Sequence, residues 1–195
     1  MIQAGFTITS PRTGTKTVVL KSDAETNGNG WELELRCLPK AGPDIAEHLH
    51  LNWTERFEII SGTAYYRLAG MRKTAKAGES FVVLPRQLHI HPWNAGETEM
   101  VYRQIDAFDQ PSPKAVQDVL GVFATIAGLT REGKVGSDGR PKNPLQLASM
   151  MRTLNSHGGY DAKLSVGAQN FISATIGRLA EAMGYRAVYP RFVGE

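Results

Sequence analysis

The chain has 195 residues, enough for one domain with a sizeable core or for one domain plus an extension. Its net charge of +3, without a basic run interleaved with aromatics, argues against a nucleic-acid partner. The single cysteine, Cys37, excludes a disulfide within the chain. The sequence contains no run of about twenty apolar residues, so no membrane span is predicted. The N-terminus lacks the basic and apolar regions of a signal peptide, so we expect a cytoplasmic protein.

Residues 1–110 carry the pattern of short β-strands separated by turns. Over residues 31–37, apolar residues alternate with Glu32, Glu34 and Arg36, which is the period of a half-buried strand. Other short runs predict strands at residues 6–9, 57–60, 63–68, 81–84, 88–91 and 100–105. Strands this short and this evenly spaced predict a mainly β protein built on an antiparallel jelly-roll barrel.

From residue 111 the periodicity becomes helical. Ser112 before Pro113, and Asn143 before Pro144, are helix-start signals. A third helix is predicted over residues 165–184, and its apolar stripe consists of Ala168, Ile172, Ile176, Leu179 and Met183. We expect residues 111–195 to form a helical extension that packs on the barrel or on a second subunit, with this stripe in the contact and Gln169, Ser173 and Glu181 opposite it.

Four of the five histidines fall in two short segments. In the first segment, residues 42–62, His48 and His50 are two residues apart, so on a strand both point to the same side. Glu55 follows after a short polar connection, and glycines stand at both ends of the segment. This pattern resembles the first signature motif of the cupin superfamily at every anchor position.

The second segment, residues 78–94, resembles the second cupin motif with departures: Gln87 stands where a turn glycine is expected. Counting forward from residue 78 places the motif histidine at His89, whereas counting back from Asn94 places it between His89 and His91. Pro92 lacks the N–H of a sheet ladder, so we expect a β-bulge there that lets His89 and Asn94 face one cavity. We therefore predict His89 as the ligand, with His91 as the alternative and otherwise a neighbouring or outward residue.

The resemblance to cupins implies one barrel domain, residues 1–110, as in bacterial single-barrel cupins with a C-terminal helical extension. Its metal ligands would be His48, His50, Glu55 and His89. Three imidazoles and a carboxylate can hold one divalent transition metal (Fe, Mn, Ni, Zn or Cu) and leave positions open for a substrate.

These residues predict a metal-dependent small-molecule enzyme with oxidative, dioxygenase-like or isomerase-like chemistry. Glu55 is the candidate catalytic base. The alternative is a small-molecule-binding or sensing cupin without catalysis. We expect a homodimer, because an open jelly roll leaves strand edges that need cover. Arg103 and Gln104 are neighbours on a strand, so one of them must face inward. The candidate substrate-binding residues are Asn94, Trp93, Tyr102, Arg103 and Gln104.

Overall fold

The computed structural model describes residues 1–194, and β-strands fill its N-terminal half. In chain order the first six strands are β1 (Thr7–Thr9), β2 (Lys16–Lys21), β3 (Gly30–Cys37), β4 (His48–His50), β5 (Trp53–Ser61) and β6 (Thr63–Leu68). The next four are β7 (Met71–Lys76), β8 (Ser80–Val83), β9 (His89–Trp93) and β10 (Met100–Phe108), and β11 (Gly159–Asp161) follows much later.

The strands form two antiparallel sheets whose inner faces enclose the core. One sheet has the order β1-β2-β3-β10-β5-β8, and the other has the order β11-β4-β9-β6-β7. Large buried side chains such as Trp31, Phe57 and Met100 fill the space between them. Burial of this apolar surface is the main stabilising contribution to such a fold. The predicted mainly β jelly roll is confirmed.

The helices follow the barrel, apart from a short α1 (Asp23–Thr26) between β2 and β3. α2 (Pro113–Arg131) begins at the predicted signal, because the Ser112 hydroxyl accepts a hydrogen bond from the backbone N–H of Ala115. α3 (Pro144–Ser156) is likewise capped by the side chain of Asn143. One apolar face of α2, including Val116, Val119 and Leu120, is part of the barrel core, so the extension packs on the barrel within one chain.

The predicted third helix forms as α4 (Val166–Ile172), a π-helical turn (Ser173–Gly177) and α5 (Arg178–Ala182). The prediction of its buried face was wrong: Leu179 and Met183 are 55% and 59% exposed. Of the residues predicted on the polar face, Gln169 and Ser173 are buried, whereas Glu181 is exposed as predicted. Gln169 is held inside by hydrogen bonds with the backbone of Asp161 and Leu164. Local hydrogen bonds thus outweighed the apolar stripe in setting the rotation of the helix.

The extension also contributes a strand to the barrel. β11 pairs antiparallel with β4, with Gly159 opposite His50 and Asp161 opposite His48. This pairing covers the open edge of the strand that carries the first two histidines. No helix of the described residues is both long and apolar enough to cross a bilayer.

Candidate metal centre

His48 and His50 lie on β4 and turn their rings to the same side, as predicted. Their ring centroids are 4.9 Å apart. The ring of His48 is surrounded by those of His50, His89 and His91, with centroid separations of 4.2 Å to His89 and 4.9 Å to His91. The ring of His50 stacks on Trp53 at 3.9 Å. The first motif therefore delivers both imidazoles to the barrel interior.

His89 and His91 lie on β9, which pairs with β4 on one side and with β6 on the other. Both side chains face inward, with exposures of 1% and 6%. The expected bulge is present: Tyr65 pairs with Trp93 but Arg67 with Ile90, so β9 holds one extra residue there. The expectation that His91 is an outward residue is corrected, because the extra residue comes after Ile90 and the strand alternation from His89 to His91 is regular.

Glu55, on β5, lies among these rings. Its Oε2 is 2.7 Å from His89 Nε2 and 3.8 Å from His50 Nδ1, and its Oε1 is 3.1 Å from His91 Nε2. One ligand atom each from His48, Glu55, His89 and His91 lies within 4.8 Å of all the others. His50 lies at the edge of this group. The structure thus brings together all the predicted ligands, with His91 inside the tight cluster.

Backbone contacts fix the orientation of two of the rings. The Nδ1–H of His48 donates to the carbonyl of Ala46 at 2.8 Å, and that of His89 donates to the carbonyl of Gln87 at 3.0 Å. Since a carbonyl can only accept, the neutral ring of His48 keeps its lone pair on Nε2, and His89 would offer the same atom to a metal once its second proton is lost. His89 Nε2 and Glu55 Oε2 are both buried, and neither makes a hydrogen bond to any group outside the cluster. A nitrogen and a carboxylate oxygen held together in this way could both bind one metal ion.

The protonation states also suit metal binding. Burial lowers the pKa of His48 well below its usual range and that of His50 to about 3. Burial acts to raise the pKa of Glu55, but His91 and His50 outweigh it and hold that pKa well below the usual range. Burial likewise acts to lower the pKa of His89, but contact with Glu55 raises it. A metal would therefore meet an ionised carboxylate and neutral rings at His48 and His50, and would displace a proton from His89.

Asp106 is a site residue that the sequence analysis missed. It lies opposite Glu55 in the register of β10 and β5 and is 4% exposed. Gln104 Nε2 connects the two carboxyl groups, donating to Asp106 Oδ2 at 2.9 Å and to Glu55 Oε1 at 3.3 Å. Burial, then the charge of Glu55, raises the pKa of Asp106 well above its usual range. The sequence did indicate that Asp106 faces inward, because Tyr102, Gln104 and Asp106 occupy alternate positions along one strand.

Of the predicted substrate-binding residues, Tyr102 and Gln104 line the cavity, and Gln104 is the inward member of its pair. Asn94 is corrected to a structural residue, because its Nδ2 donates to the carbonyls of Cys37, Leu38 and Thr98.

Trp93 and Arg103 are also corrected, since neither lines the cavity. Trp93 lies beside Tyr65, and the guanidinium of Arg72 is 5.7 Å from its ring. Arg103 Nε lies 3.2 Å from a carboxylate oxygen of Glu32. Both side chains are therefore occupied away from the metal cluster.

The cavity at the cluster has a volume of about 280 Å³. It runs from His48, Glu55 and His91 outward between the barrel and helices α2 and α3. This is slightly below the roughly 300–1,000 Å³ typical of ligand pockets, so the cavity suits a small molecule.

Several solved structures that contain cupin or double-stranded β-helix domains are similar to the barrel. A double-stranded β-helix protein from Klebsiella pneumoniae is 22% identical, with 49% of this chain and 77% of that chain covered and a TM-score of 0.41. A predicted oxalate decarboxylase from Thermotoga maritima is 19% identical, with 55% and 93% covered and a TM-score of 0.46. The Cnp3 cupin domain of Schizosaccharomyces pombe is 13% identical, with 61% and 71% covered and a TM-score of 0.43. No protein-family model and no curated protein matches the chain.

Proposed function

We propose that the protein is a metal-dependent enzyme of the cupin type that carries out oxidative, dioxygenase-like chemistry on a small molecule. One observation carries this proposal. His89 Nε2 and Glu55 Oε2 are buried and 2.7 Å apart, and one ligand atom each from His48, Glu55, His89 and His91 lies within 4.8 Å of all the others. Imidazole nitrogens and a carboxylate oxygen gathered this closely match the donor set of a divalent transition-metal site.

The proposed ligands are His48, Glu55, His89 and His91. This set exchanges His50 for His91 relative to the sequence-based hypothesis, because His91 belongs to the group whose ligand atoms lie within 4.8 Å of one another. His50 then supports the site from its place on Trp53, where the ring centroids are 3.9 Å apart. When bound, a divalent transition metal supplies Lewis-acid or redox chemistry to a substrate in the cavity.

The residues around the proposed metal site would position the substrate and donate hydrogen bonds to it. Tyr102 lines the cavity, and burial raises its pKa well above the usual range, so its phenol stays a hydrogen-bond donor at neutral pH. Gln104 holds the carboxyl group of Glu55 through Oε1. This contact leaves Oε2 of Glu55 facing the cluster.

Isomerase-like chemistry is the second candidate, and the carboxyl pair favours it. The pKa of Glu55 is held low and that of Asp106 is held high, so one carboxyl group is ionised while its neighbour keeps a proton. Such a pair can take up and return a proton, with Glu55 as the base. Oxygen consumption during turnover would distinguish the oxidative reaction from a proton shift, which consumes none.

Metal analysis of variants tests the proposal. Purified protein reconstituted with Fe(II) under anaerobic conditions should hold about one iron per chain. His48→Ala and His91→Ala should lose most of it. His157→Ala is the matched control, because that histidine bonds Asp118 outside the cluster and should leave the iron content unchanged.

Nitric oxide then tests for an open coordination position. Binding of nitric oxide to the Fe(II) protein, seen by electron paramagnetic resonance, would support an enzyme. Iron that is retained but inaccessible to nitric oxide would point instead to a binding or sensing role. Equal iron in wild type and in both ligand variants would refute the metal centre.

We further propose that the chain forms a homodimer through the exposed stripe of its last helices. Phe171, Leu179 and Met183 are 69%, 55% and 59% exposed. Several large apolar side chains left exposed on one helical segment would be covered by such a contact. We also propose a cytoplasmic location, since the only cysteine, Cys37, is free and buried.

A further inference from the structure

The helical extension forms one wall of the cavity, and its helices α2 and α3 make that wall mainly apolar. The side chains that they contribute include Val119, Phe123, Ile126, Met150, Met151 and Leu154. The barrel faces them with Trp31, Leu33 and Leu35. The lining also contains charged side chains, Asp44, Asp138, Arg140 and Asp161 among them, but its surface is largely hydrocarbon and aromatic.

The cations at the cavity are already paired. Among residues 1–194, Arg12 and Arg140 are the only arginine or lysine residues that line it. Arg12 forms an ion pair with Asp44 at 3.9 Å and donates to the carbonyls of Pro43 at 2.9 Å and Ser137 at 3.1 Å. Arg140 forms ion pairs with Asp138, at 3.0 Å, and with Asp161. A carboxylate or phosphate on a substrate would find no free cation here, and burying it unpaired would be costly.

We infer that the cavity binds a neutral, largely apolar small molecule whose single polar end reaches the metal cluster. The helical extension would set this selectivity, because it supplies the wall along which the apolar body of the ligand lies. The inference rests on the proposed function for the role of the polar end. The apolar selectivity follows from the lining alone.

A matched pair of phenols tests the selectivity. 4-tert-Butylphenol and 4-hydroxybenzoate carry the same phenol group, but the substituent opposite it is apolar in one and anionic in the other. Calorimetric titration of the zinc-loaded protein should show at least tenfold tighter binding of 4-tert-butylphenol. Equal or tighter binding of 4-hydroxybenzoate, or binding of neither probe at millimolar concentration, would overturn the inference.

The two proposals fail separately in this experiment. If wild type binds no metal but still prefers 4-tert-butylphenol, the metal centre is refuted and the apolar selectivity stands. If wild type binds metal but prefers 4-hydroxybenzoate, the metal centre stands and the selectivity is refuted. Titration of the metal-depleted His48→Ala variant should give the same order of preference as wild type, because the apolar walls are intact.

A variant in α2 tests the contribution of the helical wall. Phe123→Ala removes part of the apolar lining and should weaken binding of 4-tert-butylphenol about three- to tenfold. Phe171→Ala is the matched control, because Phe171 is 69% exposed and lies outside the cavity. Unchanged binding in Phe123→Ala would refute the role of the extension. If that variant does not fold, the half-buried Met151→Gln variant should show the same loss.

Discussion

Replacing Asn94 tests whether its side chain stabilises the fold or binds the substrate. The sequence placed it among the substrate-binding residues, whereas the structure surrounds it with backbone. Its Nδ2 donates to three carbonyls, of Cys37, Leu38 and Thr98, at 3.1, 3.0 and 2.7 Å, and its Oδ1 accepts from the N–H of Gly96 at 2.9 Å. At about 1 kcal/mol for each contact, Asn94→Ala should lower the free energy of unfolding by about 3–4 kcal/mol.

For a chain of this size, such a loss corresponds to a fall in melting temperature of about 10 °C. Differential scanning calorimetry of wild type and variant measures it directly. Asn29→Ala is the control, because Asn29 is exposed and its loss should change stability by less than about 0.5 kcal/mol. An unchanged melting temperature for Asn94→Ala, together with lost binding of 4-tert-butylphenol, would show that Asn94 serves the ligand and not the fold.

Three other predictions concern backbone geometry, acid stability and assembly. At Gly30, where φ is +151°, a Cβ would lie 1.8 Å from the carbonyl oxygen of Asp106. Gly30→Ala should therefore lower the free energy of unfolding, measured by chemical denaturation, by at least about 3 kcal/mol. Gly70→Ala is the control: no atom lies within 4 Å of its Cβ, so the loss should be about 1 kcal/mol. Burial lowers the pKa of His48 and holds that of His50 at about 3, against an ordinary value of 6.5. As the pH falls, the unfolded chain therefore binds protons before the folded chain does, and the urea midpoint of the metal-free protein should fall below about pH 6.5. A midpoint that does not change with pH would contradict this. Light scattering should give twice the 21.3 kDa chain mass, and a monomer mass across a wide concentration range would refute the dimer.

Much of the barrel could be predicted from the sequence because its inner strands alternate clearly. The strand β6 was placed at its observed bounds, Thr63–Leu68, and the alternation in β3 gave its buried face. By contrast, β7 is almost wholly exposed and polar, and β11 is three residues long, so neither has an apolar pattern to detect. Pairing with the adjacent strands β6 and β4 makes these segments strands.

The residues of the histidine and glutamate cluster could be predicted from the sequence, but their arrangement in space could not. Pro92 correctly indicated the bulge. Whether the bulge changes the direction of the side chains before or after His91 depends on the pairing of β9 with β6, so the inward orientation of His91 was missed. Asp106 was missed although it alternates with Tyr102 and Gln104 along β10, because its link to the site depends on its neighbour Glu55 across the sheet. In α4, hydrogen bonds from the Gln169 side chain to the carbonyls of Asp161 and Leu164 bury a residue that was predicted to be exposed.

The most direct test of the metal centre is a crystal structure of the zinc-loaded protein, with anomalous data collected on both sides of the zinc absorption edge. The proposed site predicts one strong peak inside the barrel, about 2.0–2.2 Å from Nε2 of His48, Nε2 of His89 and the carboxylate of Glu55, with His91 as the fourth ligand. A peak held by His50 in place of His91 would restore the ligand set predicted from the sequence. Full zinc loading with no peak among these residues would contradict the metal centre.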